Sequence, residues 1–289
     1  MAALTPAVLP EAGVPAPRPV RGRRGAGAWR AVVLAVAALY FVTPLAASFV
    51  FTVNDPEKGF TLEAYGEIFV AEGFTRSLLL SLGLAAATIT VVLLLTLPAM
   101  LAVRLGAPRL RPVLDVLCTL PLVVPPITFV AGISTVLRWG PDHLAATPFY
   151  QTIIAVQNPS FPVVLVIAYA VLALPFVYRA LDAGLGAMDV RTLVEAARNC
   201  GASWPVVLLR VIVPNLKAGL AGASFLTLAL VLGEYTIARL LGFEPFSVWI
   251  VTISGANAPL SVAVSIFSLL LTWALLLILS TAGTRRSRS

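Results

Sequence analysis

The stretch VEAARNCGASWPVVLLRVIVP, Val194 to Pro214, lies in the one long hydrophilic connection of a very apolar chain. Leu193, Val194, Ala197 and Cys200 fall on one side of a helix, while Arg191, Glu195, Arg198 and Asn199 occupy the rest. Gly201 stands where that helix would end in the left-handed conformation, which costs glycine nothing sterically. Ser203 is placed to cap a second short helix, with Pro205 in the first turn, where a missing donor does no harm. Pro214 marks a break before the next apolar run, and Asn215 is placed to cap the helix that follows. The pattern is helix, sharp turn, helix. An amphipathic rod of this kind suits a partner's groove, and the same amphipathicity suits a helix resting on lipid headgroups.

The setting is a membrane. Of 289 residues, 59% are apolar and 11% charged, against roughly 25% charged in a soluble domain. A spanning helix needs about 20 apolar residues, and six runs qualify: Ala31 to Val53, Ser77 to Val103, Pro112 to Leu137, Ser160 to Tyr178, Ala218 to Ala238 and Ala258 to Ala282. The third contains Pro121, Pro125 and Pro126, so a broken helix is expected there, tolerated where protein or a water-filled cavity resatisfies the freed carbonyls. Six spans with both termini inside put sixteen of the twenty Lys and Arg residues on the cytoplasmic face. That asymmetry sets the orientation as N-in and C-in. Residues 1–30, rich in Pro, Ala, Gly and Arg, read as a disordered basic cytoplasmic tail, and 283–289 as a second basic tail. The first apolar run is too long for a cleavable signal peptide.

Several chemistries lack their residues. The two lysines, Lys58 and Lys217, follow no glycine-rich turn, so ATP is not bound here through a phosphate-binding loop. The single histidine, His143, reads as a solvated loop residue; no metal-ligand cluster is visible, and an intramembrane serine hydrolase would lack its base. Cys118 and Cys200 give no disulfide framework. Basic and aromatic residues do not interleave on any soluble stretch, so nucleic acid is not an expected partner. The expectation is a non-enzyme without a cofactor of its own.

Glu234 stands nearly alone as an ionisable residue inside a span, since Asp115 lies close to the end of its own. That poverty disfavours an ion-coupled carrier acting alone, which remains the alternative class. Glu234 either lines a cation pathway or is a structural carboxyl paired with Arg239 or with a partner chain. Tyr235 and Asn257 are pathway candidates of the same kind. The connection from Asn54 to Thr75 carries Asp55, Glu57, Glu63, Glu67 and Glu72, either a solvated face or part of a surface for a soluble receptor.

The segment EAARNCGASWPVVLLRVIVP resembles the EAA loop of the permease subunits of binding-protein-dependent ABC importers. Glu195, Ala196, Ala197, Gly201 and Pro214 match at the family spacing, and Val211 and Val213 stand where Ile and Leu are usual. The likeness extends over about 77–282, including SLLLSLGLAAATITVVLLLTLPAMLAVRLG, LPLVVPPITFVAGI and LPFVYRALDAGLGAMDVRTLVEAA. It implies an all-α, six-helix permease domain over 31–282, of type I importer layout. The 191–214 loop would couple it to a separate cytoplasmic ATPase that binds the ATP. Glu195, Ala196, Ala197, Arg198, Gly201 and Pro214 are then the expected ATPase-coupling residues, and Glu234, Tyr235 and Asn257 the expected pathway residues. The implied partners are ATPase subunits, a second permease, identical or related, and an extracytoplasmic substrate-binding protein at a bacterial cell membrane. LGEYTIARLLG looks most like the polyamine branch, for spermidine or putrescine, with the ferric iron, thiosulfate and phosphonate branches as relatives.

Overall fold

A computed structural model describes residues 24–55 and 58–284. It divides into two compact units between Ala47 and Ser48. α1 (Arg24–Val53) crosses that division and carries an apolar run of 25 residues, long enough for a bilayer. Arg24 to Arg30 belong to this helix, and Gly283 and Thr284 to the last one, although the sequence places them in the tails; the rest of the expected tails, 1–23 and 285–289, lies outside the described residues.

Beyond α1, a short antiparallel hairpin pairs β1 (Asn54–Asp55) with β2 (Gly59–Phe60), with Asn54 opposite Phe60. Helices follow in order: α2 (Glu63–Glu67), α3 (Phe74–Gly106), α4 (Arg111–Thr119), α5 (Pro126–His143), α6 (Phe149–Val156) and α7 (Val163–Gly186). Then come α8 (Val190–Asn199), α9 (Trp204–Val206), a π-helical stretch Val207–Ile212 and α10 (Val213–Asn215). The series closes with α11 (Lys217–Gly233), α12 (Thr236–Leu240), α13 (Phe246–Ser254) and α14 (Ala258–Thr284).

Four of these helices, α1, α3, α7 and α14, are long and apolar enough to cross a membrane, and two bent helix pairs raise the number to as many as six. The first bent pair, Pro108–Leu122 with Pro126–His143, turns by 99° where the sequence places a single span from Pro112 to Leu137. Proline chemistry sets the break. Pro125 precedes Pro126, which pushes it out of the helical region, and it sits extended at φ −60, ψ 140. The second pair, Trp204–Asn215 with Lys217–Gly233, bends by 81°.

Two expected boundaries move. α7 runs to Gly186, eight residues beyond Tyr178, so Arg179 and Asp182 lie in the helix and the hydrophilic connection is shorter than the sequence indicates. α11 stops at Gly233, so the expected span to Ala238 is a helix, a break and the short α12. Glu234 is extended at φ −75, ψ 124 and therefore lies at the break.

Three buried apolar clusters run along the second unit. One joins the C-terminal half of α3 to α7, α8, the π-helical stretch and the start of α11, with Leu181, Leu185, Val194, Ile212 and Leu216 among its members. A middle cluster gathers α3, α5, α7, α11, α12 and α13 around Leu84, Tyr169, Val231 and Ile237. The third packs α2, α13 and α14 against the start of α3 through Ile68, Phe74, Phe246 and Val264. By contrast, Leu94 and Leu95 on α3 and Leu270, Trp273 and Ile278 on α14 are exposed. Large apolar side chains left outside a packed bundle are what a lipid-facing or partner-facing wall requires.

α7 and α11 approach most closely at two glycines. A methyl group on Gly184 would lie 2.6 Å from Leu216 Cδ1 and 3.3 Å from the Gly219 Cα, and one on Gly219 would lie 3.2 Å from the Ala180 carbonyl. Small residues at such a crossing let membrane helices pack backbone to backbone. Gly184→Val should overpack this crossing by about 1–3 kcal/mol. The expected result is a lower melting temperature of the detergent-purified protein, with Gly186→Ala, at a glycine with no neighbour within 4 Å, as the unaffected control.

Candidate functional site: the coupling loop and the break in the fifth span

α8 is built to be stiff. Asp189 occupies its N-cap: the carboxylate accepts from the Thr192 backbone N–H at 3.2 Å and from the Thr192 hydroxyl at 2.7 Å. These hydrogen bonds hold the Asp189 carboxyl below its ordinary range. A lowered carboxyl favours the folded helix at any pH above the ordinary Asp range, and the contribution fades only as acid protonates the cap. The C-terminus closes on Gly201 at φ +79, with its N–H donating to the Arg198 carbonyl at 2.9 Å and the Ala202 N–H to the Ala197 carbonyl at 3.1 Å. This 5→2 and 6→1 pair is the Schellman arrangement, which needs the left-handed residue in the middle.

Arg198 fastens the turn from the other side. Its guanidinium donates to the Ala202 carbonyl at 2.8 Å and lies 5.6 Å from the centre of the Trp204 ring. Val190 and Val194 are buried and Ala197 partly so, and they seat α8 on the cluster shared with α3, α7 and α11, while Leu193 is half-buried. One sequence expectation changes here: Cys200 is exposed and stands outside the apolar face, because the helix ends before it. Ala196 is exposed whereas Ala197 packs inward.

The outward face of α8 thus presents Arg191, Glu195, Ala196 and Arg198. Arg191 Nε donates to Glu195 Oε1 at 2.8 Å, an exposed pair one turn apart. Such a pair is weakly held in water and free to re-pair with a partner's charges.

After the turn, Ser203 sits at the N-cap of α9 with extended backbone but makes no side-chain cap bond; the Ser203 carbonyl accepts from Val207 N at 2.9 Å. The π-helical stretch has a local cause in Pro214, which has no N–H to give the Arg210 carbonyl. Asn215 does not cap α11. Its side-chain amide donates to the Val211 carbonyl at 2.7 Å, and Leu216 takes the N-cap position. The limb from Trp204 to Ile212 and the end of α3 enclose an apolar groove of about 770 Å³, lined by Pro98, Leu101, Leu105, Val194 and Trp204 among others.

An ion cluster that sequence reading did not reveal sits just ahead of the loop. Asp182 on α7 pairs with Arg104 at the end of α3 and, at 3.3 Å, with Arg111 at the start of α4. Arg104 also donates to the Asp182 carbonyl at 3.0 Å. In the sequence these arginines register only as orientation signals.

Glu234, Tyr235 and Asn257 do not form one site. Glu234 turns its carboxylate onto α12, accepting from the Ile237 N–H at 2.7 Å and the Ala238 N–H at 3.3 Å. Its backbone carbonyl accepts from the Ser247 hydroxyl on α13. Tyr235 is the N-cap residue of α12. Asn257 belongs elsewhere: its Oδ1 caps α14 through the Leu260 N–H at 3.0 Å, and its amide reaches Glu67 Oε2 at 3.4 Å. Of the acidic residues between Asn54 and Thr75, Glu63 pairs with Lys58 at 2.6 Å, and Glu57 lies outside the described residues. His143 ends α5, exposed, with its ring 5.5 Å from that of Trp139. Among the described residues no three of His, Cys, Asp and Glu gather as metal ligands.

α8 is thus a helix capped at both ends, seated on a buried cluster, with a polar face turned outward. Residues 95–285 match the family described as the binding-protein-dependent transport system inner membrane component, and the chain belongs to that family. It is also 31% identical over 195 residues, 62% of this chain and 69% of the relative, to a protein of Haloferax volcanii described as a probable molybdenum ABC transporter permease. The chain is therefore a multi-pass membrane permease subunit of an ABC importer, from a family of transporters and not of enzymes. Such subunits work with ATPase, binding-protein and permease partners. The polyamine branch does not follow from these likenesses, since the relative's description is of a molybdenum transporter.

Gly201→Val forces a β-branched residue to φ +79 and should break the Schellman closure. The expected outcome is normal membrane abundance with at least tenfold weaker recovery of the ATPase on affinity purification. Asp189→Ala, which removes the N-cap, should speed amide hydrogen exchange across 190–200 and leave α7 unchanged.

Proposed function

We propose that this chain forms half of the translocation pathway of an ATP-driven importer in a bacterial cell membrane, with six spans and both termini inside. The exposed face of α8 docks into the ATPase, and the 191–214 loop carries nucleotide-driven motion to the spans. The observation that carries this reading is a helix capped at both ends, seated on a buried cluster by Val190 and Val194, that offers Glu195, Ala196 and Arg198 outward. An interfacial helix resting on lipid would instead turn its apolar side outward, and here that side is buried.

For the cargo, the reading we favour is molybdenum as its oxyanion, molybdate, by likeness to the Haloferax volcanii protein. A cation pathway lined by Glu234 would suit a polyamine. That carboxylate is engaged with two α12 amides, which weakens the charge argument. The likeness of LGEYTIARLLG to the polyamine branch keeps spermidine as the second reading. The pathway is completed by a second permease, identical or related, and cargo arrives on an extracytoplasmic binding protein.

A cysteine placed at Ala196 in a Cys200→Ser background should crosslink to the ATPase in membranes, and one at the buried Val194 should not. Equal labelling of both positions by lipid alone, with no captured ATPase, contradicts the docking reading. Titrating the cognate binding protein with molybdate and with spermidine separates the cargoes: molybdate binding supports the first, and spermidine binding alone replaces it with the second.

A further inference from the structure

The segment Trp204–Asn215 meets α11 at a bend of 81°, and the backbone at that joint is short of donors. The last π-type bond runs from the Val213 N–H to the Leu208 carbonyl, and the next helical bond from the Leu216 N–H to the Ile212 carbonyl at 2.9 Å. The carbonyls of Leu209, Arg210 and Val211 fall between these two. Only Pro214 and Asn215 lie between the two donors, and proline has no N–H, so three carbonyls share one backbone donor of the ladder. The Asn215 side-chain amide supplies a second, to the Val211 carbonyl at 2.7 Å. That bond runs back from the joint into the turn before it.

The segment is seated on one face and open on another. Val207 and Ile212 are buried in the cluster beneath α8. Leu209 is exposed, and with Pro205 it borders the apolar groove beside the end of α3, so that flank is not braced. A helix kinks where proline or a π-turn interrupts its ladder, and side chains can resatisfy the carbonyls left over. α8 joins this segment through the turn at Gly201, and α11 beyond the bend is packed against α7. A displacement of α8 carried along the segment therefore crosses the joint at Pro214 to Leu216 before it reaches α11.

We propose that Asn215 is the positioning residue of this joint: its amide closes the last turn of the segment on the Val211 carbonyl, makes up the donor that Pro214 leaves missing, and so fixes the angle at which the segment drives α11. Asn215 touches neither cargo nor ATPase. Without the amide, α8 still folds and docks, but the joint yields and a push on α8 is absorbed at the bend. The inference rests on the importer reading above.

Three substitutions test it. Asn215→Leu removes the donor at similar size, and Asn215→Asp keeps the shape with acceptors only. Asn215→Gln is the rescue, since Gln157 makes the same one-turn bond in this chain, from Nε2 to the Ile153 carbonyl at 2.9 Å. Spin labels at Arg210 and Leu226, both exposed, report the bend by pulsed electron resonance in the full-length, otherwise cysteine-free chain in nanodiscs. The distance distribution should be narrow in the parent and in Asn215→Gln, and broader in Asn215→Leu and Asn215→Asp. A broad parent distribution, or a parent-like one in Asn215→Leu, overturns the proposal. The chain is then reconstituted with its ATPase, partner permease and binding protein, the last supplied with both molybdate and spermidine, and ATP hydrolysis is measured with and without the binding protein. Absence of stimulation in the parent counts against the importer reading, and the spin-label distances still decide the role of Asn215. Stimulation should fall about tenfold in Asn215→Leu, the equivalent of ~1.4 kcal/mol and the scale of one hydrogen bond, with unchanged recovery of the ATPase on affinity purification. Asn215→Gln should restore it. Full stimulation in Asn215→Leu, loss of the ATPase from that variant, or an Asn215→Gln variant as slow as Asn215→Leu would each contradict the proposal.

Discussion

Motion can pass from a short surface helix into a membrane bundle only if the helices on either side of it do not slip against one another. Here that constraint is met at the crossing of α7 and α11, where Gly184 and Gly219 bring the two backbones together. α7 leads into the connection that carries α8 and α11 leads out of it, so that connection leaves and re-enters one packed unit. Asp182, one turn or less from Gly184, adds the ends of α3 and α4 through Arg104 and Arg111. Buried apolar residues of α8 and the π-helical stretch close the same cluster. The result is a block of packed helix ends with a stiff rod on its surface.

Away from that block the spans are interrupted. Prolines 125 and 126 stand at the break of one bent helix pair, and Glu234 at the break after α11. The segments beyond the two breaks, α5 and α12, pack against each other. A closely packed part beneath α8 and a jointed part at the two breaks form a division of the kind in which bistable elements convert a small push into a change of state. Broken backbone is tolerated at such depth because local groups resatisfy it, and the Glu234 carboxylate on the α12 amides is one such repair.

Much of this was readable from the residues. The amphipathic period of 190–199 and the glycine at 201 located α8 and its left-handed end, because capping and helical period are local properties. The proline cluster likewise announced the 99° break between Pro108–Leu122 and Pro126–His143. What escaped were features set by tertiary approach. Asp182 is one carboxylate among apolar neighbours until the fold brings Arg104 and Arg111 to it. Asn257 is polar near an apolar run in the sequence, and its capping of α14 shows only in the fold. Glu234 looked like a residue within a helix because GEYTIARL carries no proline, and only the cap it forms on α12 shows why the helix ends. The side chain of Asn215 likewise serves the preceding helix, a choice between two neighbouring orphan groups that spacing alone does not decide.

The central claim is that the loop and the helix ends beneath it move together. Spin labels at Asn199 on α8 and Ala218 on α11, both exposed, report on it directly by pulsed electron resonance in a cysteine-free background. Between the nucleotide-free and ATP-trapped complexes, the distance from Asn199 to Ala218 within one chain should stay the same, while the distance from Asn199 to the partner permease changes. A change in the Asn199 to Ala218 distance on adding ATP would show the rod pivoting on its block, and would contradict the account.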